Sequence, residues 1–495
     1  MKLANLDGQA RNVIVRQAAS DSDMLPWRYY IDCLNQSADR ESESGARPVG
    51  AVRRQGERRG SILGLAELDF ALRGRHQRSL MKTVLLHGGT VWDGSGEPAF
   101  PADVLIAGNR IAELWPQALR GLQAATRIDV SGHTIIPGLV DGHAHLPFLH
   151  KADIVETGDV PPEEHILQTR HHARIVLEAG FTSCLSGGSA KPRLDVVIRN
   201  EINTGDTPGP RLLAASPELT NTGNLGDERR MHIYRESIAL VVDGEDEMLR
   251  ACRSLLREGV DTLKLNVSGN QTIPGSRPQQ TVMRDEEVGA AARTAHAHGK
   301  RIAAHVRAAA SIKMALRHGI DILYHCEYAD EECLDLLEAA RDRVFVAPAV
   351  GLLHNTIFEA EQWGITYEKA KANGVVDQFE QAQKVFAALR QRGVRVLVGG
   401  DYGFPWTPHG TNARDLEHFV RFFGYSDSDA LVAATRTGAA AMLLEGQAGE
   451  VAKGFLADLV VVAGEPQNDV RLLQTPANIK LVMKDGEIYK NLLRA

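Results

Sequence analysis

The sequence predicts an α/β protein: a (β/α)8 TIM barrel with a small composite β-sandwich domain built from both chain ends. Three observations carry that expectation. Between residues 138 and 446, eight short apolar runs alternate with helical stretches, the pattern of parallel strands joined by crossover helices. Five helical stretches stop on glycine just before the next run, at Gly180, Gly259, Gly299, Gly319 and Gly393, the usual helix-stop signal. Strand-like segments also flank this region on both sides. A doubly wound open sheet is the alternative, but it wants a glycine-rich phosphate loop after its first strand, and the sequence has none there.

Residues 1–80 read unlike the rest. They are arginine-rich with Lys2 as the only lysine, and they show no sustained helical or strand period. The run Arg53-Arg54-Gln55-Gly56-Glu57-Arg58-Arg59-Gly60 is of the kind that stays solvated. A basic tail that binds something is one reading; the other, preferred, is a disordered or non-native extension, with Met81 as the working start. Residues 81–137 have β texture. Runs at 83–89 and 102–109 end in turn residues, the second in Gly108-Asn109, a hairpin signal. Short strands follow at 110–114 and 127–130. Matching material at 458–462 and 479–488 places a second part of the same β domain in 447–495.

Within 138–446 the expected strands are 139–145, 181–186, 211–216, 262–267, 301–306, 321–325, 344–350 and 395–400. The expected helices include 163–179, 245–258, 285–298, 312–318, 330–340 and 377–392. The stretch 354–374 reads as a partly helical lid over the barrel mouth.

Composition excludes several classes. A net charge of -7 argues against a nucleic-acid binder. Cys33, Cys184, Cys252, Cys326 and Cys333 are far apart and make no CxxC pair, which suits reduced thiols. No apolar run reaches the roughly 18 residues of a membrane span, and the N-terminus lacks the apolar core of a signal peptide. A cytoplasmic protein without membrane or nucleic-acid partners is the expectation.

In a (β/α)8 barrel the active site forms at the carboxyl ends of the strands. The first strand ends in His143-Ala144-His145, and residues two apart in a strand share a face. Two imidazoles presented together suit a divalent metal such as zinc, although two nearby histidines also arise by chance. The fourth strand carries Lys264, the fifth His305, the sixth His325, and the eighth ends in Gly399-Gly400-Asp401. Each has an ordinary reading: a snorkelling lysine, a satisfied core histidine, a strand cap, a turn aspartate. Lys264 between Leu263 and Leu265 is costly to bury unless neutralised or paired. Their joint placement on successive strand ends favours one metal site.

This pattern resembles the amidohydrolase superfamily: HxH on strand one, Lys on four, His on five and six, Asp on eight. Pro137-Gly138-Leu139-Val140-Asp141-Gly142-His143-Ala144-His145, Pro408-His409-Gly410-Thr411-Asn412-Ala413-Arg414 and Gly454-Phe455-Leu456-Ala457-Asp458-Leu459-Val460-Val461 look like phrases of its imidazolonepropionase-like and prolidase-like branch. The resemblance covers about 81–490 and leaves residues 1–80 unexplained. It implies two divalent ions, usually Zn2+. His143, His145 and Asp401 would hold one, His305 and His325 the other, with N6-carboxylated Lys264 bridging. It further implies that a metal-bridging hydroxide attacks a carbonyl carbon, with Asp401 shuttling the proton to the leaving amine. A small-molecule C–N bond is the implied target: an amide, a dipeptide or N-acyl amino acid, or a urea or carbamate. Barrels of this kind often associate, so a homo-oligomer is expected.

The branch often places a second histidine two positions after its strand-five ligand; here the residue is Arg307. It either binds a carboxylate or carbonyl oxygen of the substrate or pairs with an acid such as Glu327 and braces the barrel. With Thr220-Asn221-Thr222-Gly223 and Asp227-Glu228-Arg229-Arg230, it is somewhat reminiscent of phenylurea and thiocarbamate hydrolases. His232, Tyr234 and His409 are candidate substrate-binding residues from loops, with a loop residue of no role as the alternative. His171 and His172 read as a solvated helix face, and His296 and His298 as favourable charge at a helix C-terminus. Rivals are a cyclic-imide hydrolase, a deaminase (which Lys264 disfavours) and a non-catalytic scaffold, against which all six ligand positions are filled.

Overall fold

The computed structural model describes residues 83–115, 124, 126–233 and 235–493; the expectations for residues 1–80 and for Tyr234 fall outside them. The N-terminal part supplies β1 (Thr83–His87), β2 (Thr90–Val91), β3 (Phe100–Pro101), β4 (Asp103–Ala107), β5 (Arg110–Trp115), β6 (Thr126–Asp129) and β7 (His133–Pro137). The central part supplies β8 (Leu139–Ala144), β9 (Phe181–Ser186), β10 (Arg211–Leu213), β11 (Ala215–Thr220), β12 (Leu240–Val241), β13 (Thr262–Asn266), β14 (Arg301–Ala308), β15 (Ile322–Tyr328) and β16 (Phe345–Ala347). The C-terminal strands are β17 (Leu459–Ala463), β18 (Ile479–Lys484) and β19 (Glu487–Asn491).

Strands from both chain ends share one sheet, in the order β19-β18-β17-β7-β2-β3. β17 runs antiparallel to β7, with Leu459 opposite Pro137 and Val461 opposite Ile135. A second sheet has the order β5-β4-β1-β6. One apolar cluster draws on both, including Val84, Leu86 and Val104 from one and Ile135, Val461 and Leu481 from the other. That shared burial holds the chain ends together, since neither sheet covers its own apolar face.

The central strands form two parallel sheets, β10-β9-β8 and β12-β11-β13-β14-β15-β16. Every residue of β8 and β13 is buried, as strands covered on both faces require. A bridge from Ser189 to Pro217 ties the two sheets. Residues 395–402 run between β16 and β8 without forming a regular strand. On one side Leu397 donates to the Val346 carbonyl at 2.8 Å, and on the other Gly142 donates to the Val398 carbonyl at 2.7 Å. Gly399 explains the close fit, since a Cβ there would strike the His143 backbone nitrogen.

The expected helices are present as Pro162–Glu178, Glu245–Arg257, Asp285–Ala297, Ala309–Arg317, Glu331–Ala339 and Val375–Gln391. All five glycine stops have positive φ, the left-handed cap that glycine reaches without strain. The 354–374 stretch belongs to helices Val350–Phe358 and Tyr367–Ala372 and the short turn Glu361–Trp363. His354 there packs on Phe379, His418 and Phe422. Among the described residues no helix is long and apolar enough to cross a membrane. Cys184, Cys252, Cys326 and Cys333 are free and buried.

Candidate metal centre

The end of β8 and the residue just after it deliver His143 and His145 to a buried point facing Asp401. His143, His145 and Asp401 each place one donor atom within 4.8 Å of the others, and all three are buried. His145 Nδ1 lies 3.0 Å from the Gly188 carbonyl. A carbonyl only accepts, so that nitrogen carries a proton, and Nε2 faces Asp401 Oδ1 at 3.2 Å. Both His143 ring nitrogens are buried without a hydrogen-bond partner, and His143 Nε2 is 4.0 Å from the same oxygen. Two imidazoles and a carboxylate gathered at one buried point, with the His143 nitrogens unpartnered, fit a divalent metal.

The protonation states agree. Burial pushes His143 well below its ordinary pKa, with Lys264 and Arg307 adding to the shift, so the ring stays in the neutral, ligating form. Burial pushes Asp401 up, but positive charge beside it, Lys264 included, holds it well below the usual carboxylate range. Asp401 sits at φ 61° and His325 at φ 80°, left-handed conformations uncommon outside glycine and more tolerable for aspartate.

Supporting groups fix the ligands. The His143 ring stacks on Tyr324 with centroids 3.8 Å apart, and Tyr324 donates to the Gly142 carbonyl at 3.2 Å. Asp141 accepts from the His143 backbone at 3.0 Å and from Asn412 Nδ2 at 2.7 Å; burial raises its pKa to about 6. Gly187 lies over the pair. A Cβ there would come 2.8 Å from Nε2 of both His143 and His145 and closer still to His143 Cδ2. The φ of Gly187 is not positive, so alanine lacks only space. Gly187→Ala should leave the fold intact and weaken metal binding at least about tenfold by misorienting ligands, measured by metal titration beside circular dichroism.

Lys264 is 1% exposed. Its ammonium donates to the Gly187 carbonyl at 2.6 Å, lies 3.4 Å from Glu218 Oε1, and stands 4.7 Å from the Tyr324 ring centroid. Glu218 also accepts from Asn266 at 2.9 Å, so it is the anion beside the buried lysine. Sequence reasoning missed it because the third strand was expected to end at residue 216. Pro217 reads as a terminator, whereas the structure carries the strand through Pro217 with a register shift between Ala215 and Glu218.

His305 and His325 are adjacent, with ring centroids 4.2 Å apart, and His325 is 5.4 Å from His143. Burial first, and Arg307 next, push both well below the ordinary histidine pKa. His325 Nδ1 has no hydrogen-bond partner, but His305 Nε2 accepts from Arg307 Nε at 3.1 Å. Arg307 also pairs with Glu327 and donates to Gln378 at 2.8 Å, all three buried. Its guanidinium is therefore taken up by His305, Glu327 and Gln378, the pairing that the bracing alternative expects. Arg307→Ala would leave Glu327 buried without its cation and should cost about 3–5 kcal/mol, read as a lowered midpoint in denaturant unfolding.

The loop candidates separate. His232 is exposed on a turn closed by an Arg230–Ile233 bridge. His409 does not join the three ligands of the centre; it lies behind β8, with Nε2 3.0 Å from the His145 carbonyl. His172 is buried, not part of a solvated face, because it shares a helix face with His165, Thr169 and Val176.

A model of the amidohydrolase family matches residues 134–489. The ochratoxinase of Aspergillus niger is 24% identical over 439 residues, covering 83% of this chain and 87% of that protein. A D-aminoacylase of Alcaligenes xylosoxydans xylosoxydans is 24% identical over 452 residues, covering 76% and 87%. The crystal structure of an Xaa-Pro dipeptidase with methionine bound in its active site superposes with a TM-score of 0.75 at 26% identity. It covers 83% of this chain and 100% of that one.

Proposed function

We propose, from the premise that this chain belongs to the amidohydrolase family, that it is a metal-dependent hydrolase of an amide C–N bond in a small molecule. The favoured substrates are N-acyl amino acids or dipeptides. The observation that carries the chemistry is the buried convergence of His143, His145 and Asp401. Relatives named as a D-aminoacylase and an Xaa-Pro dipeptidase favour the acyl amino acid and dipeptide form of that bond over the urea or carbamate form. We take the eight-strand arrangement as a closed (β/α)8 barrel, completed by residues 395–402 between β16 and β8.

Zn2+ suits the imidazole and carboxylate donors; when bound, the metal supplies Lewis-acid polarisation of the carbonyl and activation of water. His143, His145 and Asp401 would hold the first ion. His305 and His325 would hold a second, with Lys264, carboxylated on Nζ, shared between them; that requires Arg307 to release His305 Nε2. Carboxylation would also remove the difficulty of a buried ammonium. Asp401 takes the proton of the attacking water and delivers it to the leaving nitrogen, so the amide becomes a carboxylic acid and an amine. Tyr324 and Asp141 keep the His143 ring and backbone in place for that step.

The test is a hydrolysis screen of N-acyl amino acids, dipeptides, lactams, phenylureas and carbamates, with the protein stripped of metal and reloaded. Turnover of N-acyl amino acids or dipeptides that needs the metal is expected. Metal-dependent turnover of only the ureas or carbamates would move the substrate class, and metal-independent turnover would overturn the mechanism.

A further inference from the structure

Against the segment that follows β8 lies a second group of histidines drawn from three separate segments. His150 follows the first strand, His172 is on helix Pro162–Glu178, and His409 lies in the loop after Asp401. One ring nitrogen from each lies within 4.8 Å of the others. Their tautomers can be read from their partners. His172 Nδ1 is 3.0 Å from the Leu146 carbonyl and His409 Nε2 is 3.0 Å from the His145 carbonyl. Carbonyls only accept, so these nitrogens are protonated and the opposite nitrogens, His172 Nε2 and His409 Nδ1, are bare.

His150 Nε2 lies 3.0 Å from the His409 backbone N–H and 2.7 Å from His409 Nδ1. A proton bridges two ring nitrogens at that separation, and a metal ion would replace it by parting them. His172 and His409 share the arrangement that orients metal-binding imidazoles, one nitrogen tied to a backbone carbonyl and the other left for a ligand. His172 and His409 are buried and His150 is half-buried.

We propose that His150, His172 and His409 form a second, separate cation site for a divalent transition metal of the imidazole-binding class, such as Zn2+. A metal there joins the segment after β8 to helix Pro162–Glu178 and to the loop that follows Asp401. It thus fixes the carbonyls of His145 and Leu146 from behind. This site goes beyond the hydrolase reading and stands without it.

The test uses the full chain, stripped with a chelator and titrated with Co2+ followed by its visible absorption. In a protein whose hydrolytic centre is disabled at both proposed ion positions by His143→Asn, His145→Asn and His325→Asn, one equivalent should still bind. Adding His150→Ala, at the least buried of the three positions, should weaken that binding by at least about tenfold. No bound equivalent in the disabled protein, or the same affinity with His150→Ala, overturns the proposal. If the disabled protein does not fold, the wild type is compared with His150→Ala alone. One equivalent fewer at matched Co2+ supports the site, and equal stoichiometry overturns it.

Discussion

Asp401→Asn should lower kcat on the order of 10²–10⁴-fold, the usual worth of a positioned proton-transfer group, while most of the metal stays bound. Asparagine keeps the shape and one ligating oxygen but cannot accept a proton. His143 and His145 remain, and the tautomer of His145 is still fixed by the Gly188 carbonyl 3.0 Å from its Nδ1. Ionisation is what the substitution removes. In the wild type positive charge beside it, Lys264 included, overcomes the effect of burial and keeps Asp401 a carboxylate. Steady-state kinetics with metal content determined on the same samples separates the two effects. A variant that retains metal and turns over at near the normal rate removes Asp401 as the proton carrier.

Lys264→Ala should be the other large loss, at least about 100-fold in activity, and should release the second ion. Its partial recovery by acetate or propionate would identify a carboxylated lysine, because a small carboxylate fills the space left by the side chain and replaces the carbamate oxygens. The competing state is the ammonium as it stands, donating to the Gly187 carbonyl and lying 3.4 Å from Glu218. That state predicts no recovery, because a free carboxylate would add a second anion beside Glu218. Unchanged activity in Lys264→Ala would remove the residue from the chemistry altogether.

The parts of the fold that were legible in the sequence are those where local signals and packing agree. Runs such as Leu139-Val140 and Leu263-Lys264-Leu265 lie in strands buried along their whole length, and the glycine stops mark helix ends whose left-handed φ other residues rarely adopt. Residues 395–400 were legible as an apolar run but not as an irregular one. Gly399 and Gly400 let the segment press against the His143 backbone and Asp415, an interaction with no local trace. The convergence of His143, His145 and Asp401 was legible because the spacing of two in His143-Ala144-His145 and the strand ends point to one place.

What surrounds those ligands was harder to read. Glu218 was hidden by Pro217, which ends most strands and here is carried through one. The role of His172 was obscured by its neighbour His171, which is exposed. The better signal was His165, Thr169, His172 and Val176 at spacings of four, three and four, a polar stripe on the buried face of a helix. His165 Nε2 there lies 2.6 Å from the Pro147 carbonyl. With His172 and His409 it makes three consecutive carbonyls, of His145, Leu146 and Pro147, acceptors of imidazole N–H groups. Such tertiary pairing has no pattern in one dimension, because the residues that meet are 264 positions apart in the case of His145 and His409.

The central claim is that hydrolysis depends on a metal held by His143, His145 and Asp401. Its most direct test is to strip the protein, add Zn2+ in steps and follow amide hydrolysis and bound metal together, in the wild type and in His145→Asn. The account predicts that wild-type activity rises with occupancy and saturates, and that His145→Asn stays inactive across the same range even while metal binds elsewhere on the chain. Full activity in the stripped wild type, or a normal activity curve in His145→Asn, would contradict it.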